Sequence, residues 1–311
     1  YVLQYMAHMK TKRRFYMKPI RLSVMLFGAL SVSLFGQILY VDWRAPGGGD
    51  GTSWNTAFND LQAALDAAVS GDEIWVAGEA DQAGVVKYVP TKDAAGNPTP
   101  ADTETKTFKL VDGVALYGGF DGLGGTRETS RSQRNWQVYI TRLSGDLGGG
   151  LNSYHVVTGE DNAVLDGFTI IDGRAEGTGL DARGGGMQNN GVSPTVRNCV
   201  FQSNMADLYG GAIDNLNLAI PVIENCSFAW NWLSNATSAG GAIYNSSSAA
   251  KITNCIFNGN SSGDRGGAIG NLDCSPLILN CTFFDNQATN NGGGICNDGT
   301  SSPSITNCIL W

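Results

Sequence analysis

The charged side chains best suited to chemistry occur together between residues 166 and 183. Enzymes that cleave sugar chains need two carboxylates at a defined separation, or a basic residue beside acidic calcium ligands. This stretch supplies both types of group, in Asp166, Asp172, Arg174 and Arg183. These four residues are the candidate catalytic residues of a polysaccharide lyase or a glycoside hydrolase.

Two other polar residues have a structural interpretation. Asp214 has no second carboxylate at the matching position of the following repeats, which hold Tyr244, Gly270 and Cys296. His155 lies in an alternating Tyr-His-Val-Val run, which is typical of a packed or surface histidine. We therefore interpret both residues as structural rather than catalytic.

Aromatic side chains offer a second kind of site. Trp230, Trp232 and Tyr244 could supply flat platforms for a sugar or a protein, because an aromatic ring presents a large apolar face together with a polar edge. We treat these three residues as candidate binding residues.

A sequence repeat must position these side chains. Gly-Gly-x-Ile/Met occurs at residues 184–187, 210–213, 240–243, 266–269 and 292–295. An Asn-Cys pair follows in each unit, at residues 198–199, 225–226, 254–255, 280–281 and 307–308. Successive Gly-Gly motifs start 26, 30, 26 and 26 residues apart. A fixed period of this size predicts a stack of similar structural units.

Each unit contains three short apolar runs that end at Asn or Gly, which predicts three strands per coil. Strands that repeat without reversal wind the chain as a coil, and parallel crossovers are right-handed in nearly all proteins. The sequence therefore predicts an all-β fold, a right-handed parallel β-helix with coils of about 26–30 residues.

In such a stack, like residues form ladders from coil to coil. Gly and Asn suit the sharp corners, because both tolerate the left-handed backbone conformation. Phe201, Phe228, Phe257 and Phe283 each precede an Asn by three residues, which predicts a Phe ladder beside an Asn ladder. The predicted structural residues of the repeat are Gly210, Gly211, Ile213, Gly240, Gly241, Ile243, Gly266, Gly267, Ile269, Asn204, Asn231, Asn260 and Asn286.

Seven cysteines would suggest disulfides in an exported protein. Five of them follow the repeated Asn, and side chains at one repeat position point the same way, which is poor disulfide geometry. We interpret these five as small buried hydrophobic residues. Cys274 and Cys296 fall outside that ladder, so their pairing stays open. No Cys-x-x-Cys spacing occurs, and we expect no metal site.

The N-terminal residues differ from the repeats. Residues 1–37 resemble a secretory leader, with basic residues followed by the apolar run 22–35. Translation from Met17 would also give such a leader, so Met17 is a candidate for the true start of the protein. We expect residues 38–155 to form a cap and irregular first coils. Residues 156–311 are expected to form the regular coils.

A short helix is predicted within the cap. Phe58, Leu61, Leu65 and Val69 fall at helical spacing, and Gly71 ends the pattern. The first coil of a β-helix would otherwise present a bare strand edge, so we interpret this helix as its cover.

The charge balance limits the classes of partner. Without residues 1–37, the chain holds 14 basic and 28 acidic residues, a net charge of −14. This charge argues against nucleic acid and anionic membranes as partners. It is compatible with calcium, but Asp50-Gly-Thr and Asp121-Gly lack a full ligand set and are typical of turns. We expect no cofactor.

The repeat resembles a known family. Gly-Gly-Ala-Ile at residues 210–213, 240–243 and 266–269, each preceded by Phe-x-x-Asn, is similar to the repeat of the polymorphic outer membrane proteins. These are bacterial surface β-helices, first described as adhesins exported as autotransporters. The Gly-Asp-Gly-Thr-Ser-Trp segment that ends at Trp54 resembles secreted pectate-lyase-like β-helix proteins, which include lyases, hydrolases and members without known activity.

The resemblance implies an exported protein of the bacterial outer membrane or cell surface. It would be a non-catalytic adhesin or stalk that binds a polysaccharide or a protein on a host or neighbouring cell. The alternative is a polysaccharide lyase or glycoside hydrolase of the pectate-lyase-like type. Because the chain stops within an apolar strand at Trp311, we expect a further C-terminal region that attaches it to the outer membrane.

Overall fold

Four stacked sheets run along the molecule, and each regular coil adds one strand to each of them. The computed structural model describes residues 36–80 and 87–311, so the predicted leader, apart from its last two residues, lies outside the described residues. The one α-helix in this part is Leu61–Ala67. The 3-10 helices are Trp54–Thr56, Thr103–Thr105, Gly122–Gly124, Arg131–Gln133 and Gly179–Ala182.

The strands of the four sheets follow in chain order. Sheet 1 contains Ile38–Val41, Glu73–Ala77, Ala115–Phe120, Val164–Asp166, Thr195–Arg197, Val222–Glu224, Lys251–Thr253, Leu277–Leu279 and Ser304–Thr306. Sheet 2 contains Glu79–Ala80, Tyr139–Ser144, Phe168–Ile171, Val200–Gln202, Ser227–Ala229, Ile256–Asn258, Thr282–Phe284 and Ile309–Leu310. Sheet 3 contains Arg174–Ala175, Met205–Ala206, Trp232–Leu233, Ser261–Ser262 and Gln287–Ala288. Sheet 4 contains Phe108–Lys109, Val157–Thr158, Met187–Asn190, Ile213–Leu216, Ile243–Ser246, Ile269–Leu272 and Ile295–Asp298.

The predicted parallel β-helix is confirmed. Pairing within the sheets is parallel, except where Glu79–Ala80 runs antiparallel to Tyr139–Ser144. Asp146–Gly148 and Leu151–Asn152 form a separate antiparallel hairpin. The three expected strands of each regular coil are present in sheets 1, 2 and 4. Sheet 3 adds a fourth strand of two residues, which is too short for any hydrophobic period to reveal.

The predicted ladders fill the interior. The ring centroids of Phe228 and Phe257 are 4.8 Å apart, those of Phe257 and Phe283 are 4.7 Å apart, and the rings are stacked. Asn231 is fully buried. Its Nδ2 donates to Oδ1 of Asn260 at 3.0 Å, which repeats at each rung of this ladder. Buried amides are thus satisfied by the neighbouring coil, as buried polar groups require.

Each of the two positions in the Gly-Gly pairs requires glycine, for a different structural reason. The first glycine of each pair adopts a left-handed backbone, with φ of 61° at Gly210 and 76° at Gly240. The second approaches the next coil closely, because a Cβ on Gly241 would lie 2.2 Å from the carbonyl oxygen of Gly267. Both positions therefore exclude a side chain.

The cysteines of the Asn-Cys pairs face inward as free thiols. Cys199, Cys226, Cys255 and Cys281 are 1–2% exposed. Cys274 and Cys296, whose pairing the sequence left open, are free thiols as well.

The helix Leu61–Ala67 covers the start of the stack. The side chain of Asp60 accepts a hydrogen bond from the backbone N–H of Gln62 at 3.1 Å and so caps the helix N-terminus. Leu61 and Leu65 are buried in the same apolar core as Leu39 and Ile74 of the first two strands. The predicted capping helix is confirmed. Within the described residues, no helix combines the length and apolar character that crossing a bilayer would require.

Candidate functional site

Asp166 is held by two arginines at the end of its strand in sheet 1. Its Oδ1 accepts from Arg134 Nη2 at 2.6 Å and from Asn198 Nδ2 at 2.8 Å, and its Oδ2 accepts from Arg197 Nε at 2.8 Å. The residue is 2% exposed. A carboxylate enclosed by three donors holds the chain together and has no free oxygen to offer a substrate.

Asp172 and Arg174 belong to different ion pairs. Lys87 Nζ and Ser144 Oγ both donate to Asp172 Oδ2, at 2.8 and 2.6 Å. Arg174 Nε donates to Glu176 Oε1 at 2.9 Å in an exposed pair. No two of the four candidate catalytic residues share a hydrogen bond or an ion pair, so the contacts do not join them into one constellation.

Arg183 instead pairs with Asp214, a contact that the sequence analysis missed. Its Nε donates to Asp214 Oδ2 at 2.9 Å and its Nη2 donates to Oδ1 at 3.1 Å. Asp214 is fully buried, and desolvation outweighs the nearby guanidinium, so the pKa of its carboxyl is raised to about 6. The guanidinium also lies over the Tyr209 ring, 4.7 Å from its centroid.

The three candidate aromatic residues do not share one surface. Tyr244 is 5% exposed, because its ring stacks on Tyr209 at 4.4 Å beneath Arg183. Burial raises the pKa of its phenol. Trp230 and Trp232 are 56% and 37% exposed and lie on either side of the buried Asn231. The two tryptophans are therefore available at the surface, whereas Tyr244 is part of the packing around Asp214.

A groove of about 350 Å³ is lined by Gln188, which pairs in register with Asp214 of the next coil. It lies between the segment 93–107 and the segment 180–188, and His155 and Asp181 line it. His155 Nδ1 is 3.1 Å from the carbonyl oxygen of Gly184, and because a carbonyl oxygen can only accept, Nδ1 is the donor of this hydrogen bond. Its Nε2 is 3.6 Å from Asp181 Oδ1, which is longer than a hydrogen bond.

One signal in the sequence could have indicated the Arg183–Asp214 pair. Gln188, Asp214 and Tyr244 are register partners in three successive strands of sheet 4, and Asp214 is the one acid among them. A parallel bridge between Arg183 and Tyr209 places the guanidinium over the next coil. An arginine just before a Gly-Gly corner is therefore placed to reach a side chain in the sheet 4 strand of the next coil, as Arg183 reaches Asp214.

The described residues contain no group of three or more His, Cys, Asp or Glu side chains that could hold a metal ion. The two acidic turns have other roles. Asp50 Oδ1 accepts from the backbone N–H of Thr52 at 3.0 Å, and Asp121 Oδ2 accepts from that of Thr126 at 2.9 Å.

Solved structures provide the first comparison. A rhamnogalacturonan lyase is 15% identical to this chain with a TM-score of 0.49, covering 88% of the chain and 62% of the lyase. The chain thus spans less than two thirds of that protein's length. A pectin methylesterase from Aspergillus niger, solved in two deglycosylated forms, is 16% identical with a TM-score of 0.39, covering 89% of this chain and 86% of the esterase.

Curated protein sequences give no match to the chain. The sequence profile of the family described as "Right handed beta helix region" matches residues 152–310, which is just over half of the 311 residues. The matched range contains the regular coils whose ladders are described above. The chain therefore belongs to the right-handed β-helix family.

Proposed function

We propose that this protein is an exported β-helix module of the bacterial cell surface that binds a neutral polysaccharide through Trp230 and Trp232 and does not cleave it. The observation that carries the proposal is the exposure of these two indoles, 56% and 37%, on one coil of a rigid stack. Large aromatic side chains are usually well buried in soluble proteins. Exposed apolar patches mark interaction surfaces, and Trp230 and Trp232 are separated by one residue in the chain.

The Trp230 ring packs over a glycine of the next coil. The residue has φ of 52° at the corner between sheets 2 and 3. In the next coil the matching corner is Gly259, where an added Cβ would lie 2.6 Å from Cδ1 of the Trp230 ring. The ring therefore lies across a glycine and keeps one face toward solvent. A preorganised ring loses little conformational entropy when a sugar packs on it.

The face next to Trp230 carries no charge. Outward-facing residues of sheet 2 between residues 168 and 284 are Thr169, Ile171, Val200, Gln202, Ser227, Ala229, Ile256, Asn258, Thr282 and Phe284. Amides and hydroxyls of this kind hydrogen-bond to sugar hydroxyls, and apolar groups pack against C–H faces. The net charge of −14 outside residues 1–37 would repel a polyuronate, which favours a neutral chain.

Export and surface attachment rest on the sequence. The basic and apolar leader and the resemblance to polymorphic outer membrane proteins both support a location outside the cell. N-terminal sequencing of protein recovered from the cell surface tests the first step. A mature chain that still contained residues 22–35 would contradict a cleaved leader.

Affinity electrophoresis of the full chain in gels that contain neutral or acidic polysaccharides tests the binding. Trp230→Ala and Trp232→Ala should each weaken retardation by a neutral polysaccharide, and together abolish it. Trp43→Ala is the matched control, because Trp43 is 40% exposed but packs beside Arg44 elsewhere on the molecule. Unchanged retardation of the double variant would refute the proposal.

A polysaccharide lyase or glycoside hydrolase is the second candidate, and one observation favours it. Asp214, with a pKa of about 6, lies near a groove that contains His155, and shifted carboxyl groups cluster at catalytic sites. Release of reducing ends or of unsaturated uronates from a polysaccharide panel, abolished by Asp214→Asn, would support it. Absence of product across the panel would refute the enzyme candidate, and the non-catalytic binding function would stand as the proposal.

A further inference from the structure

One loop of the stack carries an insertion that breaks the repeat. After the sheet 3 strand Trp232–Leu233, six residues (234–239) precede the next Gly-Gly corner, whereas the neighbouring coils have three there, 207–209 and 263–265. The outer part of the inserted loop is exposed and contains Asn235-Ala-Thr237. This triplet matches Asn-x-Ser/Thr, the pattern in which a sugar is attached to the asparagine amide.

The same pattern occurs five times in the chain, all within the described residues, and the structure separates the five copies. Two of them start in the interior. Asn245 and Asn260 are 0% exposed, and their Nδ2 atoms donate at 2.9 Å to Oδ1 of Asn271 and of Asn286. A sugar on either amide would have to displace the next coil, so the folded protein excludes modification at both.

Two further copies start at exposed corners, Asn225 and Asn280, where φ is 53°. The third residue of each begins a strand of sheet 2, Ser227–Ala229 or Thr282–Phe284. A glycosyltransferase must hold the backbone around the asparagine that it modifies, and backbone groups paired within a sheet are not available to it. The triplet that starts at Asn235 is therefore the one copy that lies in an exposed loop.

The hydrogen bonds of this loop leave the amide nitrogen of Asn235 available. Asn235 Oδ1 accepts from the backbone N–H and from the hydroxyl of Thr237, each at 3.0 Å. The amide is thus held by its oxygen, and its Nδ2 donates to no group of the described residues. A donor on the oxygen also polarises the amide, which favours the loss of a proton from Nδ2.

We propose that Asn235 is a glycosylation site of the folded protein and that its sugar comes from a nucleoside-diphosphate sugar through a glycosyltransferase. Asn235 Nδ2 forms a bond to the anomeric carbon, and the bond from that carbon to the diphosphate oxygen breaks. The nucleoside diphosphate leaves with the bonding electrons, and Nδ2 loses one proton. Polysaccharide binding by Trp230 and Trp232 involves other side chains, so either proposal can fail without the other.

Peptide mapping by mass spectrometry tests the site in protein recovered from the cells that produce it. We expect the mass of an added sugar on the peptide that contains Asn235, with Asn245 and Asn260 unmodified. An unmodified Asn235 would overturn the proposal. Sugar on the two interior asparagines as well would overturn the argument that the folded loop selects the site.

Substitutions of Thr237 test whether its hydroxyl is required. The folded full chain is incubated with UDP-glucose and a purified glucosyltransferase that recognises Asn-x-Ser/Thr, and hexose incorporation is measured. Thr237→Ala should abolish incorporation at Asn235, whereas Thr237→Ser keeps a hydroxyl and should retain it. Asn290→Gln, in the matching exposed loop of a later coil, is the control and should leave incorporation unchanged. Equal incorporation in Thr237→Ala and the native chain would contradict the assignment.

Discussion

Arg183 donates two hydrogen bonds to Asp214, from Nε at 2.9 Å and from Nη2 at 3.1 Å, and joins two successive coils through a carboxylate that is 0% exposed. The guanidinium compensates only part of the desolvation of that carboxylate. The pKa of Asp214 is therefore raised above its ordinary value of 3.8, to about 6.

The raised pKa predicts how stability depends on pH. In the unfolded chain Asp214 loses its proton near pH 3.8, whereas in the folded chain it keeps the proton until about pH 6. The folded state binds more protons between these values, so the contribution of this group is present at low pH and is lost as the pH rises. We compare the free energy of unfolding of the native protein with that of the Asp214→Asn variant. The advantage of the native protein over the variant should fall by on the order of 3 kcal/mol from pH 4 to pH 7. Urea denaturation at each pH measures this stability difference. A difference that is constant or that grows with pH would contradict the prediction.

Removing the guanidinium should destabilise the fold at neutral pH. Arg183→Gln leaves the Asp214 carboxylate buried without its partner, which costs about 3 kcal/mol or more. The matched control is Arg174→Gln, because Arg174 forms an exposed pair with Glu176 that contributes less than about 1 kcal/mol. Urea denaturation at pH 7 measures both variants. Equal losses would show that burial of Asp214 does not govern the effect.

The buried Asn ladder should be far more sensitive than an exposed one. Asn231 Nδ2 donates to the Phe201 carbonyl at 2.9 Å, and Asn231 Oδ1 accepts from the backbone N–H of Asn204 at 3.1 Å. Asn231→Ala leaves these buried groups unsatisfied, so we expect a loss of about 2–4 kcal/mol in the free energy of unfolding.

Asn190→Ala serves as the control for this ladder. Asn190 is exposed and accepts from Asn217 Nδ2 at 2.6 Å, so its loss should cost less than about 0.5 kcal/mol. Thermal or urea denaturation of the two variants gives the comparison. A similar loss in both would mean that the interior amides contribute no more than those at the surface.

The thiols should divide into two classes of reactivity. Burial raises the pKa of the Cys226 thiol, and only the thiolate reacts with disulfide reagents. Cys296 and Cys308 are partly exposed and should react first in the native protein. The five buried thiols, which include Cys274, should react only on unfolding, when all seven become titratable with a chromogenic disulfide. Rapid labelling of Cys226 or Cys255 in the folded protein would contradict this assignment.

The sequence predicts the ladders because a stack places each residue next to its equivalent one period later. The Phe stack from Phe201 to Phe283, the amide ladder through Asn231 and the free inward thiols all follow from that rule. The glycine corners follow from it as well. The two-residue strands of sheet 3 do not, because two residues are too few to show a period.

The candidate site is less predictable because its contacts occur once. Arg183 reaches Asp214 from a loop, and the two residues hold different positions in the repeat, so no ladder of like residues predicts the pair; the one sign of it is the place of Arg183 just before a Gly-Gly corner. Tyr244 occupies the column of Asp214 and is buried by Tyr209, which the alternation of strand residues does not reveal. The groove also depends on the segment 93–107, which lies outside the repeat.

The amide ladder has a consequence for how such a chain can change in length. Each asparagine of the ladder bonds only to the asparagines of the two adjacent coils. Successive coils therefore present the same hydrogen-bonding groups to their neighbours. Deleting residues 240–265 would bring Ala239 directly before Gly266 and set Asn215 against Asn271 with the register unchanged. Duplication or deletion of a whole period in the gene can therefore lengthen or shorten the molecule by one coil and keep the register of its amide ladder.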